Sequence, residues 1–422
     1  LPMYLPLVLD EAEGSLPRAT PAETHAGTNA PGTAYDATEH PGGPEVPLFF
    51  GGINVYLQHK LPPFRHTPRW LDRLFDSPAL LRLAAQRSGM TSPHDLGALT
   101  LSMLAGTHGH QAKEVRRLVA WLKAEFQPDV VCLSNVLLGG LAGEIKAQLG
   151  VPVLTSMQGE DSFLDTLPDP WRTQAWSELA RVCREMAGFI AVSQYYGDRM
   201  GERLALPPAR LRVIHNGVDP ALYAPGAPAL GGPPSIGYLA RLCHGKGLET
   251  LVNAYIHLRQ QPGAQAVRLR LGGTMTPGDL PLVSTLRQRL ADAGLADEVT
   301  WHPNLSLAEK LAFLRELTVL SVPATYGEAF GLYVIEAMAC GIPVVQPHHA
   351  SFPEILGRGG GGLLVAPDDP AALARGLADL LADPTRAQAL GREGRRAVEQ
   401  HFNAEAMSAA FAAALADFVP SA

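Results

Sequence analysis

The sequence has 422 residues, 46% of them hydrophobic and 18% charged, and at about 150 residues per domain it holds two or three domains with ample core material. This balance, with 42 Gly and 36 Pro, excludes a disordered chain, a collagen-like repeat and a small disulfide-stapled scaffold. Its 34 basic and 41 acidic side chains give a net charge of −7, and neither half has the basic surface that nucleic-acid binding requires.

The cysteines and the apolar segments indicate the compartment. The four cysteines are scattered without a CxxC spacing: Cys132, Cys183, Cys243 and Cys340. They predict buried, reduced thiols of a cytosolic protein. No apolar stretch approaches the roughly 18 residues of a membrane span, and no signal-peptide pattern is present. We therefore expect a cytoplasmic protein without a transmembrane segment, either free or in peripheral contact with the inner face of the membrane.

The first fifty residues contain little that predicts regular structure. Segment 1–9 is apolar and begins with Leu rather than Met, so we expect a first strand whose beginning precedes this sequence. Residues 10–47 are rich in Gly and Pro and predict a long loop, of the kind that is functional or mobile. A helical pattern begins after Gly51 and Gly52.

A regular alternation of elements starts near residue 111. Helical spacing of apolar residues predicts helices over 113–126, 139–149 and 171–186. Short apolar runs predict buried strands over 129–133, 151–157, 189–192 and 211–214. Strands that alternate with helices indicate βαβ units and a parallel sheet covered on both faces.

A cluster of Pro and Gly between residues 220 and 234 predicts an interdomain linker. The alternation then resumes with strands predicted over 236–240, 267–271, 299–302, 317–322, 343–346 and 363–365. Helices are predicted over 248–260 and 282–293, between the later strands, and through nearly all of 371–418.

The predicted fold class is α/β, with two Rossmann-like doubly wound domains that face each other across a cleft. We expect a first domain over 1–219, a second over 220–402, and a C-terminal helix over 403–422 that packs back on the first domain. Ligands of such sheets bind at the carboxyl ends of the strands, so the loops after the strands are the places to search for chemistry.

The strongest such loop contains a pair of glutamates. Gly327 and Gly331 bracket a tight turn directly after a predicted strand, and a helix follows. The first-turn N–H groups of a helix lack intrahelical partners and attract anions. Glu328 lies just before this helix and Glu336 in its second turn, where carboxylates can accept hydrogen bonds from ligand hydroxyls. The alternative is that Glu328 is a cap and Glu336 a surface residue.

A second loop carries two cations. Arg241 and Lys246 follow the predicted strand 236–240 and precede a helix, and Gly245 and Gly247 let the backbone approach a ligand closely. The Arg guanidinium matches phosphate oxygens and Lys is a compact point charge. The pair suggests a diphosphate site; the alternative is a basic pair on the surface.

The pair Gly51 and Gly52 opens the first predicted helix. Glycines at a helix start allow a phosphate to approach, but a plain turn has the same sequence, and the residues alone leave both alternatives open.

Taken together, these segments resemble the retaining glycosyltransferases of family 4, which have the GT-B fold. The resemblance rests on an ordered set of motifs: Gly51-Gly52, Asn216-Gly217-Val218-Asp219 after a strand, Arg241 with Lys246-Gly247, Glu328-x7-Glu336, Phe330-Gly331, Glu336-Ala337-Met338-Ala339-Cys340-Gly341, Pro343-Val344-Val345 and Glu354-Ile355. It covers almost the whole second half of the chain and, more weakly, the first half.

The resemblance implies a donor site in the second domain for a UDP- or GDP-sugar. By analogy with the family, Glu336 holds the ribose hydroxyls and Glu328 faces the transferred sugar. The backbone N–H groups around Phe330, Gly331 and Leu332 contact sugar or phosphate.

The resemblance also assigns roles to the cations and to the first domain. Arg241 and Lys246 neutralise the diphosphate, and the turn at Gly51 and Gly52 closes over the phosphates. The acceptor, which is a carbohydrate, a lipid-linked sugar or a small metabolite, binds in the first domain. In such retaining enzymes the leaving diphosphate takes the acceptor's proton, so we expect no dedicated nucleophile, no cofactor and no metal, and the chain has no DxD-like motif beside a strand.

The first domain departs from the family pattern. Many relatives carry a His after a first-domain strand, near the reacting sugar, whereas the corresponding strand ends here carry Asn135 and Gln158. Amides bind sugar hydroxyls but are poor bases. His108 or His110 is the candidate replacement; the alternative is an ordinary loop His.

Two further features near strand ends have competing interpretations. Glu160 and Asp161 either bind an acceptor hydroxyl or cap the next segment. His348 and His349 follow a predicted strand, but adjacent histidines are seldom joint ligands of a metal, and we expect none here.

The most favoured function is therefore a retaining, metal-independent hexosyltransferase. One alternative is an enzyme of the same architecture that acts as a sugar-nucleotide epimerase or a phosphorylase. The other is a catalytically silent sugar-binding partner. All four charged donor-site residues are present, which favours the transferase.

Overall fold

The structure is a computed structural model that describes residues 52–67, 93–226 and 232–419. The predicted strand over 1–9, the predicted loop over 10–47 and Gly51 lie outside the described residues.

Internal contacts divide the chain into two compact units. Unit 1 comprises 1–191, 197–212 and 414–422, and unit 2 comprises 192–196 and 213–413. The domain boundaries expected at residues 219 and 402 stay predictions.

The first part of the chain forms a four-stranded sheet in the order β1-β2-β3-β4. The strands are β1 (Val131–Leu133), β2 (Val153–Met157), β3 (Gly188–Ala191) and β4 (Leu211–Val213). The helices are α1 (Gly52–Lys60), α2 (Pro93–Leu104), α3 (Ala112–Glu125), α4 (Ala142–Leu149), α5 (Glu160–Asp165), α6 (Trp171–Cys183) and α7 (Gln194–Leu204). The pairs β1–β2 and β2–β3 are parallel, which confirms the predicted βαβ arrangement.

Unit 2 contains a six-stranded sheet in the order β10-β9-β8-β5-β6-β7, in which every pair is parallel. Its strands are β5 (Ser235–Leu239), β6 (Arg268–Gly273), β7 (Val299–Pro303), β8 (Val319–Leu320), β9 (Val344–Pro347) and β10 (Gly362–Val365). The helices between them are α8 (Leu248–Arg259), α9 (Leu280–Asp292), α10 (Leu307–Arg315), α11 (Leu332–Ala339) and α12 (Phe352–Gly357).

The strand order of this sheet fixes where a ligand can bind. From β5 the chain goes outward to β6 and β7 on one side, and it then returns to build β8, β9 and β10 on the other side. The carboxyl ends of β5 and β8 are therefore a topological switch point, the position at which open α/β sheets bind ligands. The two loops that the sequence singles out follow these two strands.

The helical tail consists of three helices: α13 (Pro370–Ala382), α14 (Pro384–His401) and α15 (Ala404–Ala416). An Asp-Pro pair begins each of the first two helices. Asp369 accepts hydrogen bonds from the N–H groups of Ala371 and Ala372, and Asp383 accepts one from Arg386. Pro384 also prevents α13 from continuing, because proline has no N–H to donate. The tail is helical as predicted, with these breaks.

The Asn-Gly-Val-Asp segment packs closely against the end of α14. The N–H of Val218 donates to the Phe402 carbonyl, and the N–H of Ala404 donates to the Val218 carbonyl. A Cβ on Gly217 would lie 2.2 Å from the Asn403 carbonyl oxygen, so only glycine fits there. In unit 1, the Phe418 ring packs against Gly188, and Asp417 pairs with Arg212.

Candidate active site

The loops after β5 and β8 meet at the switch point of unit 2. The N–H of Thr325 donates to the Gly245 carbonyl over 3.0 Å. Gly247 has a φ of +70°, and a Cβ there would lie 1.8 Å from the Pro323 carbonyl oxygen. Glycine at this position is therefore required by both the backbone conformation and the close approach of the loops.

Lys246 and Glu328 form an ion pair where these loops meet. Lys246 Nζ lies 2.5 Å from Glu328 Oε2, and the lysine also lies over the rings of Tyr326 and Tyr333. The Tyr333 hydroxyl donates to the same Oε2 over 2.9 Å. The pair is largely buried, with side chains 21% and 10% exposed. The structure thus brings together two residues that the sequence places after two different strands.

The electrostatics of this cluster favour a charged lysine and neutral tyrosines. Burial alone would lower the pKa of Lys246, but the Glu328 carboxylate outweighs it, and the net shift is upward. Burial, reinforced by the same carboxylate, raises the pKa of Tyr333 well above its ordinary value and that of Tyr326 to about 12. The tyrosines therefore stay protonated and act as donors.

Glu336 lies in the second turn of α11 and is buried rather than exposed on the surface. Its Oε1 accepts hydrogen bonds from the Tyr223 hydroxyl and from Lys310 Nζ, each over 2.8 Å. Neither partner was predicted, since they lie 113 and 26 residues away in the sequence.

The N-terminus of α11 has the geometry that the sequence predicts. Gly331 precedes Leu332, the first helical residue, with a left-handed φ of +92°. Phe330 is buried, and its carbonyl accepts a hydrogen bond from the Ser351 hydroxyl, which fixes the turn. The first-turn N–H groups of α11 lie between the two glutamates in the sequence.

Arg241 follows β5 and is held by a residue that sequence reasoning missed. Its guanidinium makes two hydrogen bonds to Asp279, over 3.0 and 3.3 Å, and its side chain is 54% exposed. Asp279 also accepts hydrogen bonds from Thr276. Burial would raise the pKa of Asp279, but the hydrogen bonds from Thr276 and Arg241 hold it below its ordinary value. Arg241 is thus oriented and still accessible to a ligand.

Of the two first-domain glycines, Gly52 is the first residue of α1, and Gly51 lies outside the described residues.

The acceptor candidates of unit 1 lie at the ends of β1 and β2. The Asn135 side chain accepts a hydrogen bond from the Leu137 N–H and so caps the turn after β1. Gln158 is exposed, and its side-chain amide donates to the Ser134 carbonyl over 3.3 Å. His108 is exposed in a separate turn at 106–108.

Glu160 is held by the backbone of the two strand ends and does not cap α5, whose start has no side-chain cap. Its carboxylate accepts hydrogen bonds from three backbone N–H groups, those of Val136, Gln158 and Gly159. Asp161 is paired with Arg199 over 2.6 Å. These contacts stabilise the strand ends. Among Asn135, Gln158, Glu160 and Asp161, the side chain of Gln158 is the most exposed.

Two other histidines singled out in the sequence, His349 and His110, contact protein groups. His349 Nε2 lies 2.9 Å from the Ala324 carbonyl oxygen. His110 and His59 face each other with 3.4 Å between their Nδ1 atoms, and burial lowers the pKa of both imidazoles.

Two family models match the sequence. The family described as "Glycosyl transferases group 1" matches residues 226–397, and the family described as "Glycosyltransferase Family 4" matches residues 97–222. The GDP-mannose-dependent alpha-(1-6)-phosphatidylinositol monomannoside mannosyltransferase of Mycolicibacterium smegmatis is 30% identical over 274 residues, which are 61% of this chain and 68% of that protein.

Solved structures match in fold as well. Sucrose-phosphate synthase from Thermosynechococcus elongatus has a TM-score of 0.62 and 25% identity, over 73% of this chain and 78% of that one. The Anabaena protein HepE, solved in complex with UDP and glucose, has a TM-score of 0.63 and 20% identity, over 74% and 83%. None of the helices within the described residues has the length and hydrophobicity of a transmembrane segment.

Proposed function

The chain belongs to glycosyltransferase family 4 and has the GT-B fold, and from this premise we propose that it transfers a hexosyl group from a UDP- or GDP-sugar to a hydroxyl acceptor, with retention and without a metal. The chain is a glycosyltransferase; its donor, acceptor, stereochemistry and metal independence are the parts proposed here.

One observation carries the proposal: the ion pair of Lys246 and Glu328 at the switch point, next to the N-terminus of α11. A nucleoside diphosphate sugar has charged phosphates in the middle and a hydroxyl-bearing ring on either side. A cation and a helix N-terminus suit the phosphates, and carboxylates suit the hydroxyls. We assign the diphosphate to Lys246 and Arg241, the transferred sugar to Glu328, and the ribose to Glu336.

The charges of the site fit the proposed reaction. Breaking the bond between the sugar and the diphosphate builds negative charge on the leaving group and positive charge on the sugar. Lys246, Arg241 and the first-turn N–H groups at Leu332 would stabilise the negative charge, and one preorganised donor of this kind is commonly worth ~3–4 kcal/mol of the barrier. The Glu328 carboxylate would stabilise the positive charge. The departing phosphate oxygen then accepts the proton of the acceptor hydroxyl.

The relatives do not decide whether the nucleotide of the donor is UDP or GDP. One is named as dependent on GDP-mannose, and one solved structure holds UDP and glucose. We propose a carbohydrate or lipid-linked alcohol as the acceptor, bound near Gln158 and Asn135 in unit 1. The cytoplasmic location and the contact with the inner face of the membrane stay predictions.

The alternative functions lack comparable support. The relatives named above transfer or synthesise glycosides rather than epimerise sugar nucleotides, and a silent partner would be expected to have lost at least one of its four charged donor-site residues.

A thermal-shift screen tests the proposed function. A ligand at 100 times its Kd adds about 2.7 kcal/mol of stability, so the correct nucleotide should raise the Tm clearly. We expect either UDP or GDP, but not ADP, to do so, and the matching nucleotide sugar to be turned over with a sugar alcohol present. No shift with any nucleotide or nucleotide sugar would contradict the proposal.

A further inference from the structure

The two glutamates of the site are held in the same way. Oε2 of Glu328 accepts hydrogen bonds from Lys246 and Tyr333, and a longer one of 3.4 Å from the Tyr326 hydroxyl. One oxygen of Glu336 is likewise bound by a lysine and a tyrosine. Within the part of the chain that the structure describes, the second oxygen of each carboxylate makes no hydrogen bond. Each acid is thus locked through one oxygen and presents the other.

The lysine that holds Glu336 comes from α10. Lys310 lies in the first turn of that helix, whose start is fixed by a capping box of Ser306 and Glu309. Its side chain is 13% exposed and that of Glu336 9% exposed, so both charges are largely removed from water. A buried carboxylate needs such a counter-charge, and the rigid cap keeps the lysine stem in place.

The tyrosine that holds Glu336 comes from the beginning of the Pro- and Gly-rich segment 220–234. Tyr223 is 5% exposed, and its ring lies 5.4 Å from Lys310 Nζ. Its backbone carbonyl is contacted by Arg395. Burial, together with the Glu336 carboxylate, raises the pKa of the Tyr223 hydroxyl, so it stays protonated and donates.

We propose that Lys310 and Tyr223 are positioning residues for donor binding, which fix Glu336 through Oε1 so that Oε2 accepts hydrogen bonds from the vicinal hydroxyls of the donor's ribose. This inference rests on the proposed function, because it assumes that Glu336 binds the ribose. It goes further in stating that the recognition of ribose is set by two residues outside the Glu-x7-Glu motif.

A purely structural role would have a different signature. If Lys310 only neutralised a buried charge, its loss would lower stability and weaken all ligands alike. If it positions Glu336, its loss also removes the preference for a ligand that carries the ribose hydroxyls. The ratio of two affinities therefore separates the two roles.

The test measures the Kd of the nucleoside diphosphate identified by the thermal-shift screen and of its 2′,3′-dideoxy analogue. The analogue lacks the hydroxyls that donate to the Glu336 carboxylate. Because hydrogen bonds to a charged group are comparatively strong, we expect the analogue to bind the wild type roughly 10- to 100-fold more weakly. In Lys310→Met and Tyr223→Phe we expect this ratio to fall to within about threefold, with the donor KM raised and kcat little changed. Lys310→Arg should restore much of the ratio.

Matched controls come from the same unit. Arg289→Met removes a cation of α9 that pairs with Glu249 and Asn253 rather than with Glu336 or the segment around Tyr223. Tyr255→Phe removes a buried tyrosine hydroxyl that donates to the Val267 carbonyl. Both should keep the wild-type ratio. If Lys310→Met fails to fold, Tyr223→Phe, which changes only one hydroxyl, carries the test.

The outcomes distinguish a failure of this inference from a failure of the proposed function. A wild type that discriminates the two ligands, with variants of Lys310 and Tyr223 that keep the full ratio, overturns the inference alone. A wild type that binds neither ligand overturns the proposed function. A wild type that binds both equally overturns the ribose role of Glu336 and the inference with it.

Discussion

At the scale of single residues, Lys246 has two roles that substitution can separate. It compensates the buried Glu328 carboxylate, and it is assigned to the donor's phosphates. In Lys246→Met we expect kcat to fall roughly 10²- to 10³-fold, because a preorganised charge at the leaving group is lost. We also expect the free energy of unfolding to fall by about 3 kcal/mol, because breaking a buried pair leaves one charge uncompensated.

Adding Glu328→Gln to Lys246→Met provides the control. The double variant should regain much of the lost stability in urea unfolding, since no uncompensated carboxylate remains, while kcat stays low. Recovery of turnover together with stability would show that Lys246 acts only as a structural counter-charge.

The residues that the sequence identified are those with a local signal. Lys246 and Glu328 stand next to glycines, Arg241 follows a predicted strand, and Glu336 lies eight positions after Glu328, so all four can be found without a fold. Their partners are joined to them only through the fold: Lys310 and Tyr223 reach Glu336 from different elements. No spacing rule predicts a contact over 113 residues.

At the scale of elements, the turn that starts α11 is the most constrained feature. Gly331 has a φ of +92°, and a Cβ there would also meet the Phe352 ring at 3.2 Å. We expect Gly331→Ala to cost about 1–3 kcal/mol of stability and to raise the donor KM, because the strained turn tilts the first-turn N–H groups. Urea unfolding and steady-state kinetics check this.

Gly357→Ala is the matched control for that substitution. Gly357 ends α12, and a Cβ there meets nothing within 4 Å. The control should leave both stability and KM close to the wild-type values. An equal loss of donor affinity in the two variants would contradict the role of the turn.

We expect Glu354, in α12, to make the free energy of unfolding depend on pH. Its carboxylate accepts hydrogen bonds from the N–H groups of Gln194 and Tyr195, at the start of α7, and lies 2.6 Å from His215 Nε2. Burial would raise the pKa of Glu354, but the contacts with His215 and with the two N–H groups outweigh burial. The net pKa is therefore lowered from its ordinary value of 4.5.

A lowered pKa in the folded state means that Glu354 stabilises the protein above its unfolded pKa. That contribution is lost as the pH falls from about 4.5 through the folded value. We expect Glu354→Gln to lose roughly 1–2 kcal/mol near pH 6 and to differ less from the wild type near pH 3. Thermal unfolding between pH 3 and pH 6 measures this; a constant difference across that range would contradict it.

Element types were largely predictable because apolar periodicity reports burial directly. Strands over 131–133, 153–157 and 235–239 fall within or next to the predicted runs. The helices α5 and α7 were missed. α5 has only six residues and depends on contacts such as Asp161–Arg199 for its position.

At the scale of the whole molecule, the fold followed from the alternation of strands and helices, because parallel sheets require crossover helices. The strand order did not follow, since nothing in the sequence specifies that β8 returns to pair with β5. That pairing is what joins the two loops of the site.

Metal independence and retention are properties of the complete reaction. Because we assign the neutralisation of the leaving group to Arg241, Lys246 and the N-terminus of α11, we expect EDTA to change the turnover number less than twofold. Product analysis by proton NMR should show the anomeric configuration of the donor. Loss of activity in EDTA that Mg²⁺ or Mn²⁺ restores, or an inverted product, would contradict these parts of the account.

The most direct test of the account is calorimetric titration of UDP and GDP into the wild type, Arg241→Ala and Glu336→Gln. We expect one nucleotide to bind the wild type and each substitution to weaken its binding roughly 10- to 100-fold, because each removes from the protein a charged group assigned to hydrogen-bond the nucleotide. Affinities in both variants equal to that of the wild type would contradict it.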